Sequence, residues 1–233
     1  MHHDPLQILY KEKGFEKDTV LEFIPGAKYA ALMLQDGRIG VCATLGGVPV
    51  DPLKVEHFPD LKAIPHRISY QAYLNALLNY NRVYRENRDI IDCIPFRDYC
   101  RITMIGQFVP LLKRFSKAGI RVDAFDLQKA GNGLIPLDRQ FEFVGRSDAV
   151  ILTSTSIFNM TFPDILEASP DGCDIYLLGP SSILDPELFR YEKIKGIFGA
   201  AFNRYDKKVL TMIRQGRGTK SFLPEGKKVY LLR

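Results

Sequence analysis

Hydrophobic and polar positions change their spacing near the middle of the chain, around residues 88–100. The first part holds three short β-type runs, at residues 19–23, 28–34 and 38–45. Pro25-Gly26 separates the first two runs and Asp36-Gly37 the last two. An Asp-Gly pair between apolar runs is typical of a hairpin, because its central residues take positive φ. The pattern therefore predicts an antiparallel meander.

A helix is predicted after the meander, over residues 69–87. Its apolar positions recur every three or four residues, as on the packed face of a helix, and are Tyr70, Tyr73, Leu74, Leu77, Leu78 and Tyr84. Ser69 is the predicted N-cap, because its hydroxyl can accept a backbone N–H bond. Asn75 lies beside the apolar stripe, at an edge of the packed face. A meander and a long helix together make a small α+β domain.

The second part of the chain alternates between strands and helices. Near-continuous apolar runs predict strands at residues 101–105, 120–125, 148–152, 174–178, 193–198 and 227–232. Helices are predicted between them, one ending at Gly119 and another over residues 205–215. Such a pattern is typical of a parallel sheet covered on both faces. The predicted fold class is α/β, with an α+β domain over residues 1–92 and a Rossmann-like domain over residues 93–233.

Small and polar residues follow the predicted strands, where open α/β sheets bind their ligands. The strand ends supply the candidate ligand-binding residues Gly106, Phe108, Asp126, Thr153, Ser154, Thr155, Asn159, Gly179, Pro180, Ser181, Ser182 and Gly199. We expect hydroxyls and free backbone N–H groups there, which suit an anion where a helix begins. Any one of these residues also suits a turn or a helix cap. Several such turns along one sheet edge favour a ligand-binding cleft.

Asp126 has two interpretations. It lies about 20 residues after Gly106, the spacing at which Rossmann domains place an acid for a ribose hydroxyl. The turn at Gly106 has one glycine instead of the three of a dinucleotide fingerprint, so Asp126 serves equally well as a turn cap. The sequence contains no G-x-S-x-G elbow and no P-loop. Binding, or chemistry carried by a ligand or metal, is therefore favoured over hydrolysis by side chains, and the sequence names no reaction and no cofactor.

Composition and charge narrow the classes of protein. The chain has 46% hydrophobic and 25% charged residues, which is typical of soluble globular proteins and excludes a disordered or collagen-like chain. Charge-free runs such as residues 39–50 are too short to span a bilayer, and the N-terminus lacks the apolar core of a signal peptide. We expect a cytoplasmic protein with no membrane partner.

Basic residues and cysteines give no motif. The formal charge is +5, and the densest basic segments, at residues 82–88 and 214–220, are short or interrupted by acids. Neither forms the basic stripe of a nucleic-acid binder, so no nucleic-acid partner is expected.

Four cysteines, Cys42, Cys93, Cys100 and Cys173, form no C-x-x-C pair. We expect reduced thiols that do not share a metal.

Several of these stretches together resemble a bacterial and archaeal family of unknown function that carries the label "putative heavy-metal chelation". The resemblance covers nearly the whole chain. Its most specific parts are residues 177–182, 196–199, 148–153 with Asn159, and 104–106, and residues 40–45 and 74–78 also fit.

The resemblance implies an enolase N-terminal-like domain, a Rossmann-like domain and a site between the two. By matching positions, it places at that site Asn75, Gly106, Thr153, Asn159, Gly179, Pro180 and Ser181. The chain differs from the family where residues 153–156 read Thr-Ser-Thr-Ser instead of Thr-Gly-Thr-Thr, and where Ser182 replaces a common threonine. Loss of that glycine is expected to narrow backbone access to a ligand.

Three functions remain open at the level of sequence. The first is a binder or enzyme that holds a small anionic molecule between the domains. The second is a metal-handling protein, which needs at least three Cys, His, Asp or Glu side chains at metal distances. The third is a non-catalytic scaffold that acts as a homo-oligomer, which would have a filled cleft and a large apolar surface patch.

Overall fold

The computed structural model describes residues 4–82, 87–127, 131 and 133–233. The strands of this part are β1 (Val20–Pro25), β2 (Tyr29–Leu34), β3 (Ile39–Ala43), β4 (Ile102–Ile105), β5 (Asp123–Phe125), β6 (Ala149–Thr153), β7 (Asp174–Leu178), β8 (Ile194–Phe202) and β9 (Gly226–Leu232). The helices are α1 (Pro5–Lys13), α2 (Ile64–Leu78), α3 (Ile90–Cys93), α4 (Val109–Lys117), α5 (Gln140–Val144), α6 (Thr155–Phe158), α7 (Phe162–Ala168), α8 (Lys207–Arg214) and α9 (Thr219–Phe222).

Strands β1, β2 and β3 form an antiparallel sheet in chain order. Gly37 forms the β2–β3 turn with φ of +84°, which a glycine adopts without strain. Helix α2 packs on this sheet. At Gly40 the backbones of the helix and the sheet touch directly, because glycine has no side chain to separate them. A Cβ built on Gly40 would lie 2.1 Å from the carbonyl oxygen of Ala72 and 2.2 Å from the nitrogen of Ala76. The predicted meander and helix are present and form one packed unit.

Helix α2 begins and ends earlier than predicted. It starts at Ile64, because Pro65 suits the first helical turn, where its missing N–H costs nothing. The predicted N-cap at Ser69 is wrong. Its hydroxyl lies inside the helix and donates to the carbonyl of Val50 at 2.5 Å. The predicted C-terminal part of the helix includes residues 83–86, among them Tyr84, and these lie outside the described residues.

Helix α1 was not predicted from the sequence. Asp4 caps it by accepting the N–H of Leu6, and the side chains of Leu6 and Leu9 are fully buried. The buried guanidinium of Arg67 donates to Asp4 Oδ1 at 2.9 Å and to the carbonyl of Phe158 at 2.8 Å. One α2 side chain thereby holds α1 against α6.

The second sheet has the order β5-β4-β6-β7-β8-β9, with β9 antiparallel and the other strands parallel. The central strands are buried on both faces. Val150 and Leu152 pack in one hydrophobic cluster and Ile151 in another. This explains the continuous apolar runs and confirms the predicted fold class, an α+β unit followed by a Rossmann-like one. The chain order reverses between β4 and β6, which makes these two strands the topological switch point.

Some predicted boundaries in this sheet are wrong. Strand β8 continues to Phe202 because β9 pairs with it from Gly196 to Phe202. Gly199 therefore lies inside β8, where it pairs with Val229, and is not a strand tip. A Cβ on Gly199 would lie 2.5 Å from Leu184 Cδ1, so the glycine lets the chain after β7 pack closely. In the described part of the chain, no helix is long and apolar enough to cross a membrane.

Candidate functional site

The carboxyl ends of β4, β6 and β7 meet at the switch point. Gly106 follows β4 with φ of +98°, and a Cβ there would lie 2.8 Å from Thr153 Cβ at the end of β6. Gly179 follows β7 with φ of +124°, and a Cβ there would lie 3.6 Å from Phe108 Cε1. The Phe108 ring thus lies against both glycines. We call Gly106, Phe108, Thr153, Thr155 and Gly179 the edge site.

The edge site is partly open and lined by hydroxyls. Four of its residues are partly exposed, and Thr155 is 7% exposed. Thr153 Oγ1 and Thr155 Oγ1 are 3.1 Å apart. The expectation of free N–H groups is wrong at both glycines, because Gly106 N–H donates to the carbonyl of Phe125 and Gly179 N–H to that of Phe198. The edge site therefore offers mainly threonine hydroxyls.

Asp126 and helix α4 border the edge site. The Asp126 carboxylate accepts the N–H of Gln107 at 2.8 Å, which fixes the turn between β4 and α4. Helix α4 starts at Val109, next to Phe108, and Phe108 provides no side-chain cap. The positive end of the helix dipole consequently lies beside the site, where negative charge is stabilised.

Three predicted serines lie in the buried contact between the two sheets. Ser181 Oγ accepts the N–H of Ala43 at 2.9 Å. Ser154 Oγ and Ser182 Oγ are 2.5 Å apart, and Ser182 Oγ donates to the carbonyl of Phe198 at 2.7 Å. All three serines are at most 2% exposed. Their hydroxyls therefore join the loops after β6 and β7 to each other and to β3.

Helix α2 adds a row of buried amides to this contact. Gln71 and Asn75 stand four residues apart on one face of α2, and Asn79 follows four residues later as its C-cap. We call these three residues the amide row. Gln71 Nε2 donates to the carbonyls of Ser154 and Ser181, at 2.9 and 2.7 Å. Each amide thus reaches backbone groups that belong to another element.

Asn79 makes the most complete set of bonds in the row. Its Nδ2 donates to the carbonyls of Ser182 and Ala200 at 2.9 and 3.2 Å. Its Oδ1 accepts the N–H of Leu184 at 2.9 Å. Sequence reasoning missed Gln71 and Asn79. The amide at every fourth position of a predicted helix was a visible signal, but only Asn75 was singled out.

Asn75 is less completely bonded. Its Nδ2 donates to the carbonyl of Val41 at 2.8 Å and approaches that of Pro180 at 3.5 Å. Three buried side-chain atoms of the described chain have no hydrogen-bond partner: Asn75 Oδ1, Gln71 Oε1 and Ser156 Oγ. A buried polar atom without a partner costs free energy and calls for an explanation such as a water. Two of the atoms belong to α2 and one to α6, and α2 packs against α6, which also carries Thr155 of the edge site.

Asn159 and Gly199 are not among the residues of the edge site. Asn159 Oδ1 accepts the backbone N–H of Thr161 at 3.1 Å and its hydroxyl at 2.8 Å, which shapes the turn before α7. Gly199 lies within β8, as described above.

The residues that the structure describes do not fit a heavy-metal centre. The four cysteines are free thiols, and burial raises the pKa of Cys42, which lies on β3. A thiol must lose its proton to bind a metal, so Cys42 is poorly suited as a ligand. Within residues 4–82, 87–127, 131 and 133–233, no three His, Cys, Asp or Glu side chains lie together as a metal-holding group.

Comparisons with known proteins agree on a family and a fold. The model of the family DUF364, described as "Putative heavy-metal chelation", matches residues 89–232. A DUF364 protein of unknown function from Pyrococcus horikoshii has a crystal structure similar to this chain, with a TM-score of 0.77 and 21% identity. The match covers 92% of this chain and 93% of that one. A second such structure, from Desulfitobacterium hafniense DCB-2, has a TM-score of 0.77 and 17% identity, with 100% of both chains covered. No curated protein matches the chain.

Proposed function

The chain belongs to the DUF364 family, and from this premise we propose that it binds a small anionic molecule at the edge site, as a binder or as an enzyme. The observation that carries the proposal is the contact of Gly106 with Thr153 at the switch point of the parallel sheet. Open α/β sheets bind ligands in the crevice outside the carboxyl ends of the strands at that point.

The arrangement of the other strand ends supports this location. The first sheet and the amide row cover the ends of β6 and β7 at Ser154 and Ser181. Gly106, Phe108 and Thr153 remain partly exposed. A ligand would therefore lie along the β4 side, bordered by α2 and the loop after β7.

The chemistry of the edge site favours an anion over a cation. Its side chains are two threonines and a phenylalanine, and the nearby carboxylate of Asp126 already accepts the N–H of Gln107. The positive end of the α4 dipole adds to the threonine hydroxyls as a source of attraction for negative charge. The phenyl ring offers an apolar surface for the rest of the ligand.

Heavy-metal chelation, the function in the family's description, is the alternative. The available metal ligands argue against chelation, because no three His, Cys, Asp or Glu side chains lie together in the described residues. A metal would have to arrive already bound to the anionic ligand.

A thermal-shift panel of phosphates, nucleotides, organic acids and divalent metals tests the proposal, since a ligand selective for the folded state raises its stability by about 2.7 kcal/mol at 100 times Kd. We expect at least one anion to raise Tm and Thr153→Val to reduce that shift. Thr19→Val is the matched control, because it also removes a threonine hydroxyl but lies before β1. A metal that raises Tm without any anion would favour heavy-metal chelation. If an anion raises the Tm of Thr153→Val as much as that of the wild type, the edge site is rejected as its binding site.

A further inference from the structure

A groove bounded by positive charge runs along helix α8 and shares no residue with the edge site. Its volume is about 340 Å³, within the range of small-molecule pockets. We call it the basic groove, and its lining residues are Lys207, Lys208, Thr211, Met212, Gln215 and Arg217. Five of them are exposed and Met212 is partly buried, so the groove is open to solvent. Most of its surface is apolar, which the methylene stems of lysine and arginine can provide beneath their charged ends.

The cations of the basic groove have no counterion among the described residues. Lys207, Lys208 and Arg217 form no ion pair there, although Arg214 on the same helix pairs with Glu22 at 2.7 Å. Asp206 is the nearest acid in the sequence. Its carboxylate accepts the N–H of Lys208 at 2.9 Å and so stays at the helix N-cap. The lining itself contains no carboxylate.

The spacing of these cations along α8 indicates how long a suitable anion must be. Lys207 and Thr211 share one face of α8, and Gln215 follows four residues later as its C-cap. The helix rises about 10 Å from Lys208 to Gln215, at about 1.5 Å a residue. Arg217 lies just beyond, held by its N–H bond to the carbonyl of Met212 at 3.0 Å. Positive charge therefore stands at both ends, with the Gln215 amide between; the Thr211 hydroxyl donates to the carbonyl of Lys207 at 2.8 Å.

We propose that the basic groove binds a polyphosphate group, either as a free polyphosphate or as the tail of a nucleotide. An extended chain of phosphates places negative charge at both ends of the groove, which a single carboxylate or orthophosphate cannot do. Two lysines act as point charges at one end, and the planar guanidinium of Arg217 donates two parallel hydrogen bonds at the other.

Calorimetric titration of the full chain with inorganic tripolyphosphate and with a nucleoside triphosphate tests this proposal. We expect both to bind, and Lys208→Gln and Arg217→Gln each to weaken binding about tenfold, since both remove a charge-assisted contact. Lys62→Gln removes another exposed lysine that has no ion pair with described residues, and should leave the affinity unchanged. Circular dichroism shows whether each variant is folded, and Lys207→Gln replaces any variant that is not.

Three results would overturn the proposal. One is wild-type protein that binds neither probe. Another is an affinity for tripolyphosphate that falls in Thr153→Val but not in Lys208→Gln, which would place the anion at the edge site and leave the proposed function intact. The third is a single-stranded RNA whose affinity far exceeds that of tripolyphosphate and rises with its length, which would indicate a nucleic-acid surface. Weakening by salt is expected and is checked between ionic strengths of about 0.05 and 0.5 M.

Discussion

Replacing Asn79 by alanine should destabilise the protein far more than the same change at Asn75, one helical turn away. Asn79 makes three hydrogen bonds to backbone groups, to Ser182, Leu184 and Ala200. Its side chain is 1% exposed, so water cannot replace the amide without a rearrangement. The variant leaves each of these groups without that partner.

The magnitude follows from the number of bonds. At about 1–1.5 kcal/mol for each buried group left unpaired, Asn79→Ala costs about 3–5 kcal/mol. Asn75 makes one short bond, to Val41, and its Oδ1 has no partner, so Asn75→Ala costs about 1 kcal/mol. In a chain of this size, each kcal/mol lowers Tm by about 2–4 °C. Asn79→Ala is therefore expected to lower Tm by roughly 10 °C and Asn75→Ala by about 3 °C.

Urea denaturation followed by circular dichroism measures both free energies of unfolding, and calorimetry measures both Tm values. The two variants serve as controls for each other, because both truncate a buried asparagine of the amide row. If both variants lose the same free energy of unfolding, or if Asn79→Ala loses less than about 1 kcal/mol, the amide row does not hold the two sheets together.

Three further predictions follow from other parts of the fold. Gly40→Ala should cost about 3 kcal/mol or more in urea denaturation, because its Cβ would meet the α2 backbone at 2.1 Å; Gly172→Ala, which meets nothing within 4 Å, should cost less than 1 kcal/mol. A thiol reagent should modify the exposed Cys100 in the native protein and the buried cysteines only on unfolding, and equal rates would contradict their burial. The hydrogen bond from Arg101 lowers the pKa of Asp148 below its ordinary value of 3.8. A carboxyl with a lowered folded pKa stabilises the fold above its unfolded pKa, and that stabilisation is lost as the pH falls through the folded pKa. Asp148→Asn should therefore lose less stability on acidification than the wild type, as acid unfolding curves would show.

The sequence by itself determined the fold class and most of the elements. Asp36-Gly37 specified the hairpin, but the expectation that both residues take positive φ is wrong at Asp36, because only Gly37 of the pair has it. The continuous apolar run at residues 149–152 specified a strand buried on both faces, because only such a strand can hide side chains on both sides. The glycines after β4 and β7 were recognisable for the same local reason, since each ends a buried strand with a positive φ.

Only the tertiary structure decided which candidate residues lie together and which protein groups accept or donate their hydrogen bonds. Ser154, Ser181 and Ser182 look in sequence like exposed strand ends, but α2 and β3 cover them and take up their hydrogen bonds. Gly199 looks like a strand end, but its strand continues because a distant antiparallel partner extends it. Local sequence carries no record of such partners, because they lie many residues away along the chain. Gly106 and Thr153 lie side by side because β4 pairs with β6, although β5 comes between them in sequence. That strand order is a property of the assembled sheet.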